Sequence, residues 1–168
     1  MPDQRPRLGG VLPYAHDDRR GYKTVSVEEG YAIWSRKYGD FPCFFDLDLF
    51  ERSAMLTART PGARVVDLAC DNGRIGAWLR SAGAEAVVGV DRSAEMLAIA
   101  SERGVYERIV TADVNATGLP DASFDGAITS MALCHVADLG NFFREASAPR
   151  VASARAPWPS ASHHDQIR

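Results

Sequence analysis

Three aspartates, Asp67, Asp91 and Asp113, each follow a short run of apolar and β-branched residues. Such runs predict buried parallel strands, and the carboxyl ends of parallel strands meet at one edge of a sheet. Carboxylates accept hydrogen bonds, so three of them at one edge favour a ligand that carries several donors. Each aspartate taken singly could instead cap the turn or helix that follows it.

The predicted site begins at residues 65–76. Residues 65–68 have strand character, residues 69–73 are small or turn-forming, and a helical pattern starts at Arg74. A strand, a tight loop and a helix N-terminus in this order present free backbone N–H groups to a ligand. A dinucleotide site would need Gly-x-Gly-x-x-Gly here, whereas Asp71 places an anion in the loop. The sequence therefore disfavours a pyrophosphate and favours an adenosine ligand with an amino acid end.

The positions of the three carboxylates suggest separate roles toward such a ligand. An aspartate at the end of the second strand, as Asp91 is, can accept both hydroxyls of a ribose. Asp113 could accept from an adenine amino group. Asp67 lies where it could offset an ammonium group or hold a loop N–H.

The elements that must position these residues follow from hydrophobic periodicity. Strand patterns occur at 65–68, 86–91, 108–113 and 124–130. Helical patterns follow them at 74–81, from the Ser93 cap to Gly104, and after Asp138. This alternation predicts an α/β fold, an open parallel sheet with right-handed crossovers.

An N-terminal helical cap is predicted over residues 25–60. Ser26 begins the first helix in a capping-box pattern, and the second helix is predicted from 46 to 59. The residues of the second helix that are predicted to face inward are Leu47, Phe50, Ala54 and Leu56. Aromatic side chains at helical spacing either pack in the core or contact a ligand on the substrate side of the site. In the first helix they are Tyr31, Trp34 and Tyr38.

The remaining segments complete one domain. Residues 1–24 predict a loosely ordered lead-in, residues 61–147 the core, and residues 148–168, rich in Ala, Ser and Pro, a disordered tail. No strand pattern follows residue 147, so we expect an incomplete sheet whose exposed fourth strand promotes self-association. A frameshifted or prematurely ended reading frame would account for the change in composition.

Composition narrows the classes of function. The 19 Lys and Arg against 22 Asp and Glu give a net charge of −3, with no general attraction to nucleic acid or an anionic membrane. The sequence shows neither a run of about 18 apolar residues nor a signal-peptide pattern, so we expect a cytoplasmic protein. Three cysteines without paired spacing predict reduced thiols and no metal site.

The ordered motifs resemble those of class I S-adenosylmethionine (SAM) dependent methyltransferases. Residues 65–79 resemble the first family motif, an acid followed by Gly-x-Gly-x-Gly, and residues 88–97 resemble the second. The helix around Tyr31 is similar to the entry helix of the small-molecule branch that includes quinone-biosynthesis enzymes. The later signatures follow in the family's order, at Asp113, Leu119-Pro120, Phe124-Asp125 and residues 133–138.

This resemblance implies a Rossmann-like open parallel sheet with strand order 3-2-1-4, helices on both faces and the later strands missing. It also implies transfer of a methyl group from SAM to a small-molecule acceptor. Because the sulfonium already carries the reactive methyl group, no catalytic side chain is required, and His135 is either a general base or a support for its loop. The resemblance also implies that the aromatic residues of the first helix, Tyr31, Trp34 and Tyr38, line the substrate side of the site. It implies a cofactor site formed by Asp67, Ala69, Asp71, Gly73, Asp91, Arg92, Ala112, Asp113, Ser130 and Met131.

Three alternatives stay open at this point. The first two loop glycines of the family are Ala69 and Asp71 here, and Asp71 either obstructs the cofactor or offsets its positive charge. The chain could be a non-catalytic SAM-binding remnant or an interaction module. An NAD-dependent oxidoreductase is the third alternative, which the residues of the loop disfavour.

Overall fold

The computed structural model describes residues 25–35, 45–120 and 123–147. Within these ranges, three helices precede the first strand, namely α1 (Val27–Trp34), α2 (Phe45–Arg52) and α3 (Ala54–Arg59). The alternating part consists of β1 (Arg64–Leu68), α4 (Arg74–Ser81), β2 (Ala86–Asp91), α5 (Ala94–Glu102), β3 (Arg108–Thr111), β4 (Gly126–Ile128), a 3-10 turn (Leu133–His135) and α6 (Leu139–Ser147).

The four strands form one parallel sheet in the order β3-β2-β1-β4, which confirms the predicted topology. β1 pairs with β2 along its whole length, from Arg64 opposite Ala86 to Leu68 opposite Val90. Because this register ends both strands together, the loop after β1 lies beside Asp91, the last residue of β2. The sheet thus brings the predicted site residues to one edge.

Both faces of the sheet are covered, because alternate strand residues point to opposite sides. On one face, the strands pack against α4, and α2 and α3 complete the cluster. Its buried members are Ala63, Val65, Ile75, Trp78, Leu79, Ala84 and Val87. On the other face the cluster includes α6, and its buried members are Val66, Leu68, Val88, Val90, Phe124 and Phe142.

Serine caps set several helix boundaries. Ser26 and Ser93 cap α1 and α5 as predicted. Ser53 adopts an extended backbone and its side chain accepts from the Leu56 N–H, so it ends the predicted 46–59 helix and starts another. Ala54, expected to face inward, is exposed for this reason. The other predicted inward residues do pack against the core, namely Leu47, Phe50 and Leu56.

The two outer strands are shorter than their sequence patterns. β3 ends at Thr111, because Asp113 turns the chain by accepting the Asn115 N–H at 2.7 Å. β4 spans three residues, pairs with β1 alone among the described strands, and leaves Ala127 exposed. β4 therefore lies at an edge of the described sheet. Self-association through β4 stays a prediction.

The predicted lead-in (1–24), the predicted tail (148–168) and Tyr38 lie outside the described residues. None of the helices in the described ranges has the length and apolar character needed to cross a membrane. Over the same ranges, no group of three or more His, Cys, Asp or Glu side chains is arranged to hold a metal ion.

Candidate functional site

A cavity of about 440 Å³ opens at the carboxyl ends of the strands. It is bordered by the loop after β1, the end of β2, residues 112–115 after β3, residues 130–132 and 134–137 after β4, and helix α1. Its size is within the usual range for small-molecule sites. Its position is the one that ligands of open α/β sheets occupy.

Most of the residues predicted for the site border this cavity, although they come from six separate segments. Asp67 and Gly73 do not, which corrects the expectation that they line it. The Asp67 side chain lies on the α4 face of β1 and is 1% exposed, and Gly73 is buried at the N-cap of α4. The predicted residues at the cavity are Tyr31, Trp34, Ala69, Asp71, Asp91, Arg92, Ala112, Asp113, Ser130, Met131 and His135.

The loop after β1 has a left-handed backbone at every second residue, with φ of +56° at Ala69, +51° at Asp71 and +81° at Gly73. These are the three positions at which the family pattern carries glycine. A non-glycine residue in this conformation is strained by roughly 1–2 kcal/mol, although aspartate adopts it more readily than most. The loop therefore keeps a glycine-type path despite two side chains that disfavour it.

Two carboxylates at the cavity hold the backbone around them. Asp91 accepts the Asp71 N–H through Oδ2 and the Ser93 N–H through Oδ1, each at 2.9 Å. Asp113 accepts the Asn115 N–H through Oδ1. The turn-capping role is thus real for both residues. Because each carboxylate oxygen accepts about two hydrogen bonds, both groups keep acceptor capacity for a ligand.

Helix α1 forms one wall of the cavity with side chains that the core does not bury. Trp34 is 47% exposed, so core packing does not explain it. The Tyr31 ring meets the His135 ring edge-on, with centroids 5.7 Å apart. Burial, and then the charge of Asp71, raises the pKa of Tyr31, which keeps its phenol neutral. An ion pair of 2.9 Å between Glu28 on α1 and Arg92 joins this wall to the end of β2.

Sequence reasoning missed Asp46, a buried acid on α2. Its carboxylate accepts from both terminal nitrogens of Arg74, with Nη2 at 2.7 Å, and from the Ser130 hydroxyl. Burial acts to raise the pKa of Asp46, but these donors and the Arg74 charge outweigh it and hold the pKa below its usual value. Because the three residues are distant in sequence, no local pattern could reveal this contact.

Sequence reasoning also missed Tyr106, which lies behind the loop. Its hydroxyl donates to Oδ2 of Asp67 at 2.8 Å. Burial raises the pKa of Asp67 to about 7, although the Tyr106 hydrogen bond acts in the opposite direction. Burial also raises the pKa of the Tyr106 phenol. Asp67, the acid of the first motif, is therefore a buried structural group and does not line the cavity.

Comparison with known proteins agrees with the geometry. The profile of the methyltransferase domain family matches residues 66–149, half of the chain, and the chain belongs to this family. A malonyl-[acyl-carrier protein] O-methyltransferase of Pseudescherichia vulneris is 39% identical over 87 residues, which cover 52% of this chain and 34% of that protein. A protein of the same name from Enterobacter lignolyticus is 39% identical over 90 residues, 51% of this chain and 36% of that protein. The chain thus spans about a third of the length of these curated relatives.

Solved structures show the same fold. A SAM-dependent methyltransferase from Mesorhizobium loti is similar with a TM-score of 0.50 and 34% identity, over 61% of this chain and 50% of that chain. A SAM-dependent methyltransferase from Aquifex aeolicus has a TM-score of 0.58 and 22% identity, over 68% of this chain and 65% of that one, and shows the fold alone. The predicted Rossmann-like α/β fold is confirmed, and both of these solved structures are named as SAM-dependent methyltransferases.

Because the loop is strained, we expect a substitution by glycine there to stabilise the protein. Ala69→Gly removes the Cβ that disfavours a φ of +56°, so we expect the free energy of unfolding to rise by up to about 1 kcal/mol. Ala77→Gly is the matched control, because Ala77 lies in α4 and glycine costs about 1 kcal/mol in a helix. Urea denaturation of both variants measures the difference, and a loss of stability in both would contradict it.

Asp67 predicts a pH dependence of stability with a defined sign. Its pKa rises from 3.8 to about 7 on folding, so its contribution to stability is complete below about pH 4 and is lost as pH rises through about 7. Asp67→Asn removes the titration and keeps an acceptor for Tyr106. Relative to the variant, the wild-type free energy of unfolding should fall by up to about 1.4 kcal/mol per pH unit over this range. Denaturation at several pH values tests this, and a pH-independent difference would show that Asp67 does not titrate there.

Proposed function

We propose that this chain binds SAM in the cavity at the strand ends and transfers the methyl group to a small-molecule acceptor. The observation that carries the proposal is that the Asp91 carboxylate and the left-handed loop at 69–73 meet at one cavity of ligand size. The family match supports the same activity.

The side chains around the cavity suit a cationic nucleoside. Asp91 has acceptor capacity for ribose hydroxyls and Asp113 for an adenine amino group. Among the residues that the structure describes, the acids that border the cavity are Glu28, Asp71, Asp91 and Asp113. The two described arginines that border it are both paired with acids, Arg74 with Asp46 and Arg92 with Glu28. This balance of charge disfavours a pyrophosphate and favours a sulfonium.

The residues of the chain mainly align reactants and exclude water. Bound SAM supplies a methyl group on a sulfonium, which needs only an aligned nucleophile. Asp91 and the loop would fix the nucleoside, and Tyr31 and Trp34 would shield the acceptor side. His135 borders the same side and could accept a proton from the acceptor, while its edge contact with Tyr31 also supports α1.

The acceptor side favours an apolar molecule. Its wall is formed by aromatic and sulfur-containing side chains of α1 and of the segment after β4, namely Tyr31, Trp34, Met131 and Cys134. Relatives named as O-methyltransferases support an oxygen atom as the nucleophile.

Three further expectations belong to the same proposal. A cytoplasmic location and the lack of a nucleic-acid partner are inferred from composition and the net charge of −3. Self-association through β4 is inferred from its position at the edge of the described sheet, with Ala127 exposed.

The test of the site uses Asp91. A hydrogen bond to an ionised group contributes roughly 1.5–3 kcal/mol, so Asp91→Ala should weaken SAM binding by about 10-fold to 100-fold in a calorimetric titration. Asp125→Ala is the matched control, because Asp125 also accepts a backbone N–H, that of Arg64 at 2.8 Å, but at the opposite end of β1. The control should lose stability and keep its SAM affinity.

The alternatives give different results in the same assay. Unchanged SAM affinity in folded Asp91→Ala would remove Asp91 from the site. Binding of NADH but not of SAM, measured by the fluorescence of NADH, would favour an oxidoreductase. SAM binding without transfer of a labelled methyl group to any of a panel of phenols, carboxylic acids and amines would favour a non-catalytic SAM-binding module.

Asp71 predicts discrimination between SAM and its product, S-adenosylhomocysteine, which lacks the sulfonium charge. A carboxylate beside a cation near the protein surface contributes up to about 1 kcal/mol. Asp71→Asn, which keeps the shape and removes the charge, should therefore reduce the preference for SAM over the product by about threefold. Titration with both ligands measures the ratio, and tighter binding of SAM would mean that the Asp71 charge hinders binding.

A further inference from the structure

Tyr106 lies between α5 and β3, on the side of the sheet where α4 packs. Its ring occupies space that three glycines leave open. A Cβ added to Gly76 would overlap the ring, one at Gly89 would lie 2.9 Å from Cε1, and one at Gly73 would lie 3.0 Å from Cε2. The ring is therefore in direct contact with the backbone at the loop, at the start of α4 and in the middle of β2.

The Tyr106 hydroxyl adds a directional contact to this packing. It donates to Oδ2 of Asp67, which immediately precedes the last residue of β1. Asp67 is 1% exposed, so no solvent donor replaces this hydrogen bond if it is lost. One side chain thus holds both ends of the loop, at Asp67 before it and at Gly73 and Gly76 after it.

We propose that Tyr106 is a positioning residue that sets the place of the 69–73 loop at the cofactor cavity. Tyr106 does not border the cavity, so it acts through the backbone of the loop. The loop needs such support because Ala69 and Asp71 are held in left-handed backbone that their side chains disfavour. This inference rests on the proposed function, since it assigns the loop to SAM.

The experiment compares Tyr106→Phe with Phe50→Leu. Tyr106→Phe keeps the ring and removes the hydroxyl, so the chain retains its packing while Asp67 loses its donor. Phe50, on α2, is the control, because it packs against the same core cluster, 5.3 Å from Trp78 by ring centroids. SAM affinity is measured by calorimetry, and hydrogen exchange of the amides at residues 70–76 is measured without ligand.

We expect Tyr106→Phe to weaken SAM binding by about 3-fold to 10-fold and to speed exchange of the loop amides selectively. Phe50→Leu should lower overall stability and change neither the SAM affinity nor the relative protection of the loop. Wild-type SAM affinity in Tyr106→Phe would overturn the proposal, as would exchange that is faster throughout the chain in both variants. If the wild-type chain does not bind SAM, the proposed function fails, while the exchange comparison still decides whether Tyr106 holds the loop.

Discussion

The hydrogen bond from the Asp71 N–H to the Asp91 carboxylate is the contact on which the site depends. It joins the loop after β1 to the end of β2, and it exists because the parallel register ends the two strands side by side. The loop follows a path suited to glycine although two of its three left-handed residues are not glycine. Local preference opposes this path, so tertiary contacts must hold it. The same carboxylate keeps acceptor capacity toward the cavity, so the group that supports the loop is also the one proposed to recognise the ligand.

Two buried acids behind the site show how the donors around a carboxylate decide its ionisation. Asp46 receives a bidentate arginine and a hydroxyl, so its pKa lies below the usual value and its contribution to stability is lost only as the pH falls through that lowered value. At Asp67 burial dominates over the Tyr106 hydrogen bond, the charges of Asp91 and Asp71 act in the same direction as burial, and the pKa rises to about 7. The ion pair between Asp46 and Arg74 joins α2 to the cavity wall. The hydrogen bond between Tyr106 and Asp67 supports the loop from within the core.

The cavity has two sides of different origin. The family profile covers residues 66–149 and so includes the loop, Asp91, Asp113 and the segment after β4. Helix α1, which supplies Tyr31 and Trp34 to the other wall, lies outside that match. The residues proposed to bind the cofactor therefore lie within the region that the family shares. In the proposed function, the choice of acceptor would depend on an aromatic wall that is attached to the core through side-chain contacts such as Glu28 with Arg92.

The sequence alone determined the parallel sheet and most of its helices, because buried strands and amphipathic helices carry strong periodic signals and serine caps mark where helices begin. The resemblance of its motifs to a known family added the strand order, which the structure confirms. The sequence also predicted that Asp91, Asp113 and the loop of residues 69–73 lie at one edge of the sheet, because the carboxyl ends of parallel strands meet there. Only the tertiary structure decided that Asp67 is turned away from the cavity, and that Asp46 and Tyr106 support the site. Those contacts join residues distant in sequence, and no local pattern encodes which buried acid receives an arginine and which receives a tyrosine hydroxyl.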